Sequence, residues 1–210
     1  MRPKIATFDI DGTLTVGHGW YFIAAMLHRM QEYREFTALY RKGGCGEAEH
    51  LSNLLSIAEG VPLQKIHSIL FRTPRLSGIN RAVAMLAEKG LEAVLLTHNP
   101  QYVCEWYESR FGFTGHLSAF QPVENGIVGK APVPHPDKVA WLRGMCSERG
   151  YALDEIIHVG DARSDGAVFR ATGLGIAVNS RSRDTIGSAT ASLNTTDMTD
   201  VARMIIRLSE

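Results

Sequence analysis

The spacing of apolar residues predicts a strand at the start of the chain and a purely helical stretch after it. Residues 4 to 9 (KIATFD) form a short apolar run that is typical of a buried strand. Helical spacing follows in WYFIAAMLHRM and EYREFTALYRK, and again near residues 47 to 59 and 62 to 71. The last of these begins at a proline, which suits a first helical turn. We therefore expect residues 16 to 75 to form a small helical insert.

Helical and strand patterns alternate from Ile79 to the end of the chain. Because parallel strands need crossover connections, this alternation predicts an α/β fold with a doubly wound, mostly parallel sheet. We expect a core of residues 1–15 and 76–210, interrupted by the helical cap insertion at residues 16–75. The predicted elements are helix 79–90, strand 91–99, helix 101–112, a pair of short strands around a Glu-Asn-Gly hairpin signal within 117–129, helix 136–149, strand 155–161, helix 165–172, strand 174–179, a short strand near 191–193 and helix 199–208.

Composition restricts the partners and the compartment. Of the 210 residues, 22 are Lys or Arg and 22 are Asp or Glu, so no net field draws the chain to nucleic acid or to a membrane surface. The three cysteines, Cys45, Cys104 and Cys146, lack the spacing of a zinc site or a disulfide framework. The chain also shows no apolar signal core and no apolar run of about 18 residues. We therefore expect a cytoplasmic protein.

The segment FDIDGTLT, residues 8 to 15, places two aspartates where the first predicted strand ends. Since side chains alternate faces along a strand, Asp9 and Asp11 can point the same way, and Gly12 permits a turn after them. Two close carboxylates raise each other's pKa, so a cation or shared protons must relieve the repulsion. Taken alone, the segment fits a structural role, as an Asp-Gly turn or a helix cap, as well as it fits a cation site.

Two later strands also end in polar residues. Thr97 and Asn99 end the strand LEAVLLTHN, and Asp161 and Asp165 follow the strand in IIHVGDARSD. Taken alone, Thr97 fits an ordinary strand residue. Ligands of doubly wound sheets bind outside the carboxyl ends of the strands, at the point where the strand order reverses. We therefore expect these side chains to share one crevice with the aspartates of the first strand.

In combination, these segments resemble a known family. The D-x-D-G-T at residues 9–13, the strand ending in Thr97, the downstream Lys138 and the G-D-x-x-x-D at residues 160–165 are similar to the motifs of the haloacid dehalogenase superfamily of phosphohydrolases. The helical insert resembles a C1 cap, and the spacing is most similar to the phosphoserine phosphatase branch. The resemblance implies a Mg²⁺-dependent phosphatase that acts on a small phosphorylated substrate through an aspartyl-phosphate.

The resemblance also implies roles for the aspartates. Asp9 would be the nucleophile, and Asp11 would protonate the leaving oxygen and then deprotonate the attacking water. Asp9 and Asp161 would bind Mg²⁺ through their side chains, and Asp11 would bind it through its backbone carbonyl. Asp165 would hold a metal-bound water or orient its neighbours.

Phosphate binding is expected from Gly12, Thr97 and the residues that follow Thr97. The Thr97 hydroxyl and nearby backbone N–H groups, including those of His98 and Asn99, can face the phosphate oxygens. Lys138 is the expected fixed positive charge. Lys130, in the hairpin segment, is its competitor, but the spacing of Lys138 to the G-D motif matches the superfamily better.

Substrate recognition is where the resemblance weakens. The phosphoserine phosphatase branch has a cap glutamate near the position of His18 and a cap arginine, which the segment EAEHLSNLLSIAEG does not contain. By location, the candidate substrate contacts are His18, Trp20 and Tyr21, with Arg72 or Arg75 at the end of the insert. A phosphomutase and a non-catalytic phosphate-binding module remain alternatives, and a homodimer is possible.

Overall fold

A computed structural model describes residues 3–210, and its centre is a six-stranded parallel sheet. The spatial order is β3-β2-β1-β6-β7-β8, so the strand order reverses at β1, with β2 on one side and β6 on the other. The strands are β1 Ile5–Phe8, β2 Glu92–Pro100, β3 His116–Ala119, β6 Ile156–Gly160, β7 Gly175–Val178 and β8 Ala191–Leu193. A separate antiparallel hairpin consists of β4 Val123–Glu124 and β5 Ile127–Val128. The predicted fold class is confirmed.

Helices cover both faces of this sheet, and side-chain alternation along the strands separates two apolar layers. On β1, Ala6 and Phe8 face one layer, whereas Ile5 faces the other. The layer of Ala6 and Phe8 includes residues of the helices α5 Ile79–Glu88, α6 Gln101–Phe111 and α10 Met198–Ser209. The layer of Ile5 includes residues of α7 Lys138–Arg149 and α8 Arg163–Thr172.

The segment from residue 16 to residue 75 forms four helices over the carboxyl end of the sheet. They are α1 Gly19–Met26, α2 Met30–Arg41, α3 Glu47–Ser56 and α4 Leu63–Arg72. The chain enters and leaves through a short paired ribbon, in which the N–H of Val16 donates to the Pro74 carbonyl and that of Leu76 donates to the Leu14 carbonyl, both at 2.9 Å. This ribbon supports the proposed division into core and cap at residues 15 and 76.

The cap has a second connection to the core, through the β4–β5 hairpin. The N–H of Gly60 donates to the Val128 carbonyl at 2.8 Å, and the N–H of Val128 donates to the Val61 carbonyl at 3.0 Å. The fully buried Gln121 donates from Nε2 to the carbonyls of Leu55 in the cap and Gly129 beside the hairpin. This end of the cap is therefore fixed to the core by hydrogen bonds.

Three local expectations need correction. Segment 117–129 contains three strands rather than a pair, because its first residues pair with β2 as the edge strand β3 and only the rest forms the hairpin. The hairpin turn places Asn125 at φ 50° and Gly126 at φ 78°, as a two-residue turn requires. Helix α8 begins two residues earlier than predicted, at Arg163, and the helix α9 Arg183–Ser188 was not predicted. With six residues, α9 is too short to show a helical period.

No helix within residues 3–210 is long and apolar enough to cross a membrane.

Candidate active site

The carboxyl ends of β1, β2 and β6 open into a cavity of about 740 Å³ between the sheet and the cap. Because these three strands are neighbours in the sheet, the predicted motifs meet there. We call the side chains from the sheet and α7 the core wall: Asp9, Thr97, Asn99, Lys138 and Asp161. We call the side chains from α2 and α3 the cap wall: Tyr40, Glu47, His50, Leu51 and Leu54.

A buried lysine lies between two aspartates at the centre of the site. Nζ of Lys138 lies 2.9 Å from Oδ1 of Asp9 and 2.7 Å from Oδ1 of Asp165. The side chains of all three residues are at most 8% exposed. The two carboxylates raise the pKa of Lys138 despite its burial, so the amine stays protonated. The competitor Lys130 is exposed and is not among the residues that line the cavity.

Asp165 is held by four hydrogen bonds. Its Oδ1 accepts from Lys138 and lies 3.0 Å from Nε2 of His158. Its Oδ2 accepts from the backbone N–H groups of Asp161 and Ala162, at 3.1 and 2.9 Å. A Cβ at Gly160 would overlap the Asp165 carboxyl group, so only glycine fits there. Lys138 and the bond with His158 hold the pKa of Asp165 well below its usual range, and this carboxylate stays ionised.

Asp161 differs from Asp165 because its carboxylate accepts none of the hydrogen bonds seen within residues 3–210. Its Oδ1 is buried and receives no hydrogen bond from residues 3–210. Burial, with the charge of Asp9 as the next cause, raises the pKa of Asp161 to about 8. Burial likewise raises the pKa of Asp9 to about 7, against the opposing charge of Lys138. Such a pair needs a further cation to be ionised at neutral pH.

The residues at the site fit a divalent cation with oxygen ligands. One carboxylate oxygen each from Asp9, Asp161 and Asp165 lies within 4.8 Å of the others. Since the Asp165 oxygens are already engaged, the free positions are on Asp9 and Asp161. Gly12, at φ 77°, lies so close to Asp161 that a Cβ there would overlap the carboxyl group. Mg²⁺ prefers such carboxylate oxygens, together with water and phosphate.

Asp11 lies beside the nucleophile candidate but is oriented by the cap. Its Oδ1 accepts from the backbone N–H of Gly19, at the start of α1, at 2.9 Å. Nδ1 of His18 lies 3.8 Å from the other carboxylate oxygen. A Cβ at Gly19 would meet Asp11 Oδ1 at 2.5 Å, so glycine allows this close approach. The first turn of the cap therefore fixes the proposed acid/base.

The polar residues at the end of β2 form a small network. Asn99 donates to Oγ1 of Thr97 from its backbone N–H at 3.3 Å and from Nδ2 at 3.1 Å. The Thr97 hydroxyl proton therefore remains available to a ligand. Nε2 of His98 lies 3.0 Å from the Pro136 carbonyl oxygen, and burial lowers the pKa of His98 to about 4. His98 is thus a neutral side chain, anchored to the segment before α7.

The candidate substrate contacts from the insert are placed differently from one another. His18 and the buried Trp20 line the cavity. Tyr21 is 46% exposed, packs edge-on against Phe22 and is not among the lining residues. Arg75 lies over the Trp106 ring at 5.2 Å, on the surface between α4 and α6. Arg72 is not a lining residue either. The structure therefore places Tyr21, Arg72 and Arg75 outside the cavity, which corrects these three expectations.

Sequence reasoning missed the whole cap wall and the arginines at the cavity rim. Residues 47, 50, 51 and 54 recur at the spacing of one helix face, so the sequence indicates that they share a face of α3 but not that this face covers the site. Arg163, within the motif at residues 160–165, and Arg170, about two turns further along α8, line the rim. Tyr40 had no comparable signal, because its place on the wall depends on how α2 packs against α3.

Comparison with known proteins agrees with the motifs and the fold. The family model described as haloacid dehalogenase-like hydrolase matches residues 6–170. The chain is 23% identical to the phosphoserine phosphatase SerB2 of Mycobacterium tuberculosis, covering 85% of this chain and 44% of that protein. It is also 23% identical to the phosphoserine phosphatase of Campylobacter jejuni, covering 83% of this chain and 86% of that protein.

Solved structures show the same fold at low sequence identity. A substrate-bound phosphoserine phosphatase aligns with a TM-score of 0.80 at 17% identity, covering 97% of this chain and 99% of that chain. A hydrolase of the same family from Salmonella enterica aligns with a TM-score of 0.83 at 17% identity, covering 91% of this chain and 68% of that chain. The chain spans 44% and 54% of the first two curated relatives. Because the family model covers most of the sequence, the chain belongs to the haloacid dehalogenase-like hydrolase family.

Proposed function

We propose that this hydrolase is a Mg²⁺-dependent phosphomonoesterase that acts on a small phosphorylated metabolite through an aspartyl-phosphate on Asp9. One arrangement carries the proposal. The Asp9 carboxylate is held by the Lys138 ammonium at 2.9 Å, on the core wall of the cavity, next to an Asp161 oxygen that has no partner in residues 3–210. A carboxylate, a fixed cation and a free metal-ligand position are what phosphoryl transfer needs.

The first chemical step transfers the phosphoryl group to the protein. The free oxygen of Asp9 attacks phosphorus, and the bond from phosphorus to the ester oxygen breaks. The leaving alkoxide takes the proton of Asp11, so a neutral alcohol departs. Lys138 and the hydroxyl of Thr97 balance the negative charge on the phosphoryl oxygens.

The second step returns the protein to its starting state. Asp11, now ionised, removes a proton from water, and the water oxygen attacks the phosphorus of the aspartyl-phosphate. The bond from phosphorus to the Asp9 oxygen breaks, which yields inorganic phosphate and the Asp9 carboxylate. Asp11 is protonated again, so its role in one step is reversed in the next.

The metal would be held by the side chains of Asp9 and Asp161 and by the backbone carbonyl of Asp11. When bound, Mg²⁺ would supply positive charge to the phosphate oxygens. In this chain Asp165 orients the binding loop, through its bonds to the backbone N–H groups of residues 161 and 162.

The substrate is proposed as a small phosphate ester, with phosphoserine as one candidate among several. The relatives named phosphoserine phosphatase support this class. Two features argue against assigning phosphoserine to this chain from its relatives alone. His18 occupies the expected glutamate position, and α3 (EAEHLSNLLS) contains no arginine to bind a carboxylate in bidentate geometry. The only arginines on the cavity in the described chain, Arg163 and Arg170, come from the core.

The central test is hydrolysis of p-nitrophenyl phosphate with Mg²⁺ by the wild-type protein and by Asp9→Asn. The amide keeps the size of the side chain but is not a nucleophile, so turnover should fall to background. Asp200→Asn, on the surface of α10, is the matched control and should keep full activity. Turnover by Asp9→Asn at a substantial fraction of wild type would refute the nucleophile assignment. A panel of phosphorylated metabolites would then identify the preferred ester.

A further inference from the structure

A fully buried histidine in β6 has no part in the proposed chemistry, yet it touches the catalytic cluster. His158 is 0% exposed. Its Nδ1 lies 2.8 Å from Oγ1 of Thr7, and its Nε2 lies 3.0 Å from Oδ1 of Asp165. Thr7 and Asp165 are also 0% exposed. Neither His158 nor Thr7 lines the cavity, so neither can touch a substrate.

The register of the sheet explains why these groups meet. Thr7 on β1 and His158 on β6 are direct partners in the parallel ladder. Their neighbours Ile5 and Ile156 belong to the layer under α7 and α8, so side chains two residues further along face the same helices. Lys138 begins α7, and Asp165 lies in the first turn of α8. A hydroxyl, an imidazole, a carboxylate and an ammonium thus form one buried row that ends at Asp9.

Donor and acceptor roles in this row are fixed by chemistry. An ionised Asp165 can only accept, so Nε2 of His158 must carry a proton and donate it. In the neutral ring Nδ1 is then an acceptor, and the Thr7 hydroxyl must donate to it. Burial lowers the pKa of His158, which agrees with a neutral ring. Asp165 therefore fixes the Nε2–H tautomer, and the Thr7 hydroxyl pairs with the Nδ1 acceptor that this tautomer leaves.

We propose that His158 is a positioning residue, which acts through Asp165 to aim the Lys138 ammonium at Asp9, and that Thr7 supports it by donating to Nδ1 of the Nε2–H tautomer. This inference rests on the proposed phosphatase function. Oδ1 of Asp165 is shared by His158 and Lys138, while Oδ2 is tied to the backbone. With His158 in place the carboxylate cannot rotate about its bond to Cβ. The ammonium is then fixed between the carboxylates of Asp9 and Asp165.

A simpler role for His158 is packing. Its ring lies 5.5 Å from the Phe169 ring, and the side chain fills space beneath α8. A packing role predicts that a ring of similar size replaces His158 with little effect on turnover. A positioning role predicts that such a ring fails, because phenylalanine can neither accept from Thr7 nor donate to Asp165. His158→Phe therefore separates the two roles.

The experiment compares His158→Phe, Thr7→Val and the double variant in turnover of p-nitrophenyl phosphate. We expect His158→Phe to lower kcat by about 10- to 100-fold, the usual effect of removing the partner that orients a catalytic ligand. KM should change by less than about threefold, since His158 does not touch the substrate. Ile157→Val, on the same strand and equally buried, is the matched control, which should lose stability but keep its kcat.

Non-additivity provides the sharper readout. Thr7→Val should lower kcat less than His158→Phe, and the double variant should be no slower than His158→Phe, because both changes act through one row. The double variant also removes both members of the Thr7–His158 bond, so it avoids the lone buried hydroxyl of the single variant. A kcat of folded His158→Phe within about twofold of wild type, or losses that add independently, would overturn the proposal.

A spectroscopic measurement tests this buried row of hydrogen bonds without an activity assay. ¹⁵N NMR of histidine-labelled protein should show His158 as the neutral Nε2–H tautomer at pH 7 and above. In Thr7→Val this resonance should broaden or shift, because the tautomer loses its hydroxyl donor. An Nδ1–H tautomer in the wild type would refute the positioning role. An inactive wild-type protein with the Nε2–H tautomer would refute the phosphatase function instead, so the two failures are distinguishable.

Discussion

The two walls of the cavity are held in place by different kinds of interaction. On the core wall, Asp9, Thr97, Asn99 and Lys138 are each at most 6% exposed, and each takes part in a hydrogen bond or an ion pair. On the cap wall, Tyr40 is 39% exposed and stacks on His50 at 4.3 Å, and Nδ1 of His50 has no hydrogen-bond partner within residues 3–210. Apart from Asp161, whose buried Oδ1 has no partner within residues 3–210, the core wall is fixed by polar contacts, whereas the cap wall is shaped mainly by packing.

This contrast follows from what each wall must do under the proposed function. Charge that develops on a phosphoryl group must be met by groups that are already in place, because reorganising them costs free energy at the moment of reaction. Recognition of the alcohol part requires only a surface of suitable shape and polarity. Changes in the core wall should therefore affect turnover of every ester, and changes in the cap wall should affect the choice among esters.

The largest expected effect comes from removing the cation of the core wall. Lys138→Met should lower kcat by at least about 10²- to 10³-fold for every phosphate ester, because Asp9 loses its partner and the phosphoryl oxygens lose a fixed charge. The free energy of unfolding should also fall, by about 3–5 kcal/mol, since Asp165 would remain as a buried charge without its cation. Steady-state kinetics and chemical denaturation measure the two effects.

Lys130→Met is the control for this prediction. Lys130 is exposed and lies outside the cavity, so its loss should change neither quantity. The opposite pattern, with Lys130 essential and Lys138 dispensable, would move the catalytic cation to the hairpin segment.

Much of the core wall could be predicted from the sequence, because its residues are encoded next to strand ends. Asp9 and Asp161 each follow an apolar run, and adjacent parallel strands bring such ends together whatever the loops do. The row of Thr7 and His158 could not be predicted in this way. Both lie inside apolar strand segments, where threonine and histidine look like ordinary strand residues, and only the register of β1 against β6 shows that they meet.

The sequence predicted four helices for the cap, but it did not predict which helix faces cover the site. Periodicity identifies an apolar stripe, and in α3 this stripe serves both the cap interior and the cavity. The Tyr40–His50 stack joins α2 to α3, which are connected by the glycine-rich loop at residues 43 to 46. Such a contact depends on how two helices pack, which their separate patterns do not determine.

A metal-dependent change in stability is the next largest effect. Without metal, Asp9 and Asp161 have pKa values of about 7 and 8 in the folded protein, compared with an ordinary aspartate value of 3.8. Between about pH 4 and pH 8 the folded state therefore binds more protons than the unfolded state, and stability falls as pH rises through this range. Mg²⁺ compensates for the ionised pair, so it should raise Tm more at pH 8 than at pH 6.

Asp161→Asn provides the comparison for the metal effect. The amide removes one ionised group, so the metal-free variant should lose less stability between pH 6 and pH 8 than the wild-type protein. Its rise in Tm with Mg²⁺ should be small at both pH values, and its Mg²⁺-dependent turnover should decrease as well. Differential scanning fluorimetry with and without a chelator measures this directly. A wild-type Tm that does not respond to Mg²⁺ at either pH would contradict the proposed metal site.

The smallest effect is expected on the cap wall, where a substitution should change preference rather than chemistry. Tyr40→Leu removes the ring stacked on His50 and leaves an apolar surface of similar extent. We expect the ratio of kcat/KM for p-nitrophenyl phosphate to that for a small aliphatic ester to fall about three- to tenfold. The reason is that the nitrophenyl ring would lose a stacking contact with the Tyr40 ring, and such a contact is worth about 0.5–1.5 kcal/mol. The Mg²⁺ concentration for half-maximal activity should stay the same.

Tyr21→Leu is the matched control, because Tyr21 is an exposed cap tyrosine outside the cavity, and its ratio should equal that of the wild type. Equal changes in both variants would mean that the cap acts through its overall stability. The assignment of turnover to the core wall and of substrate preference to the cap wall would then be wrong.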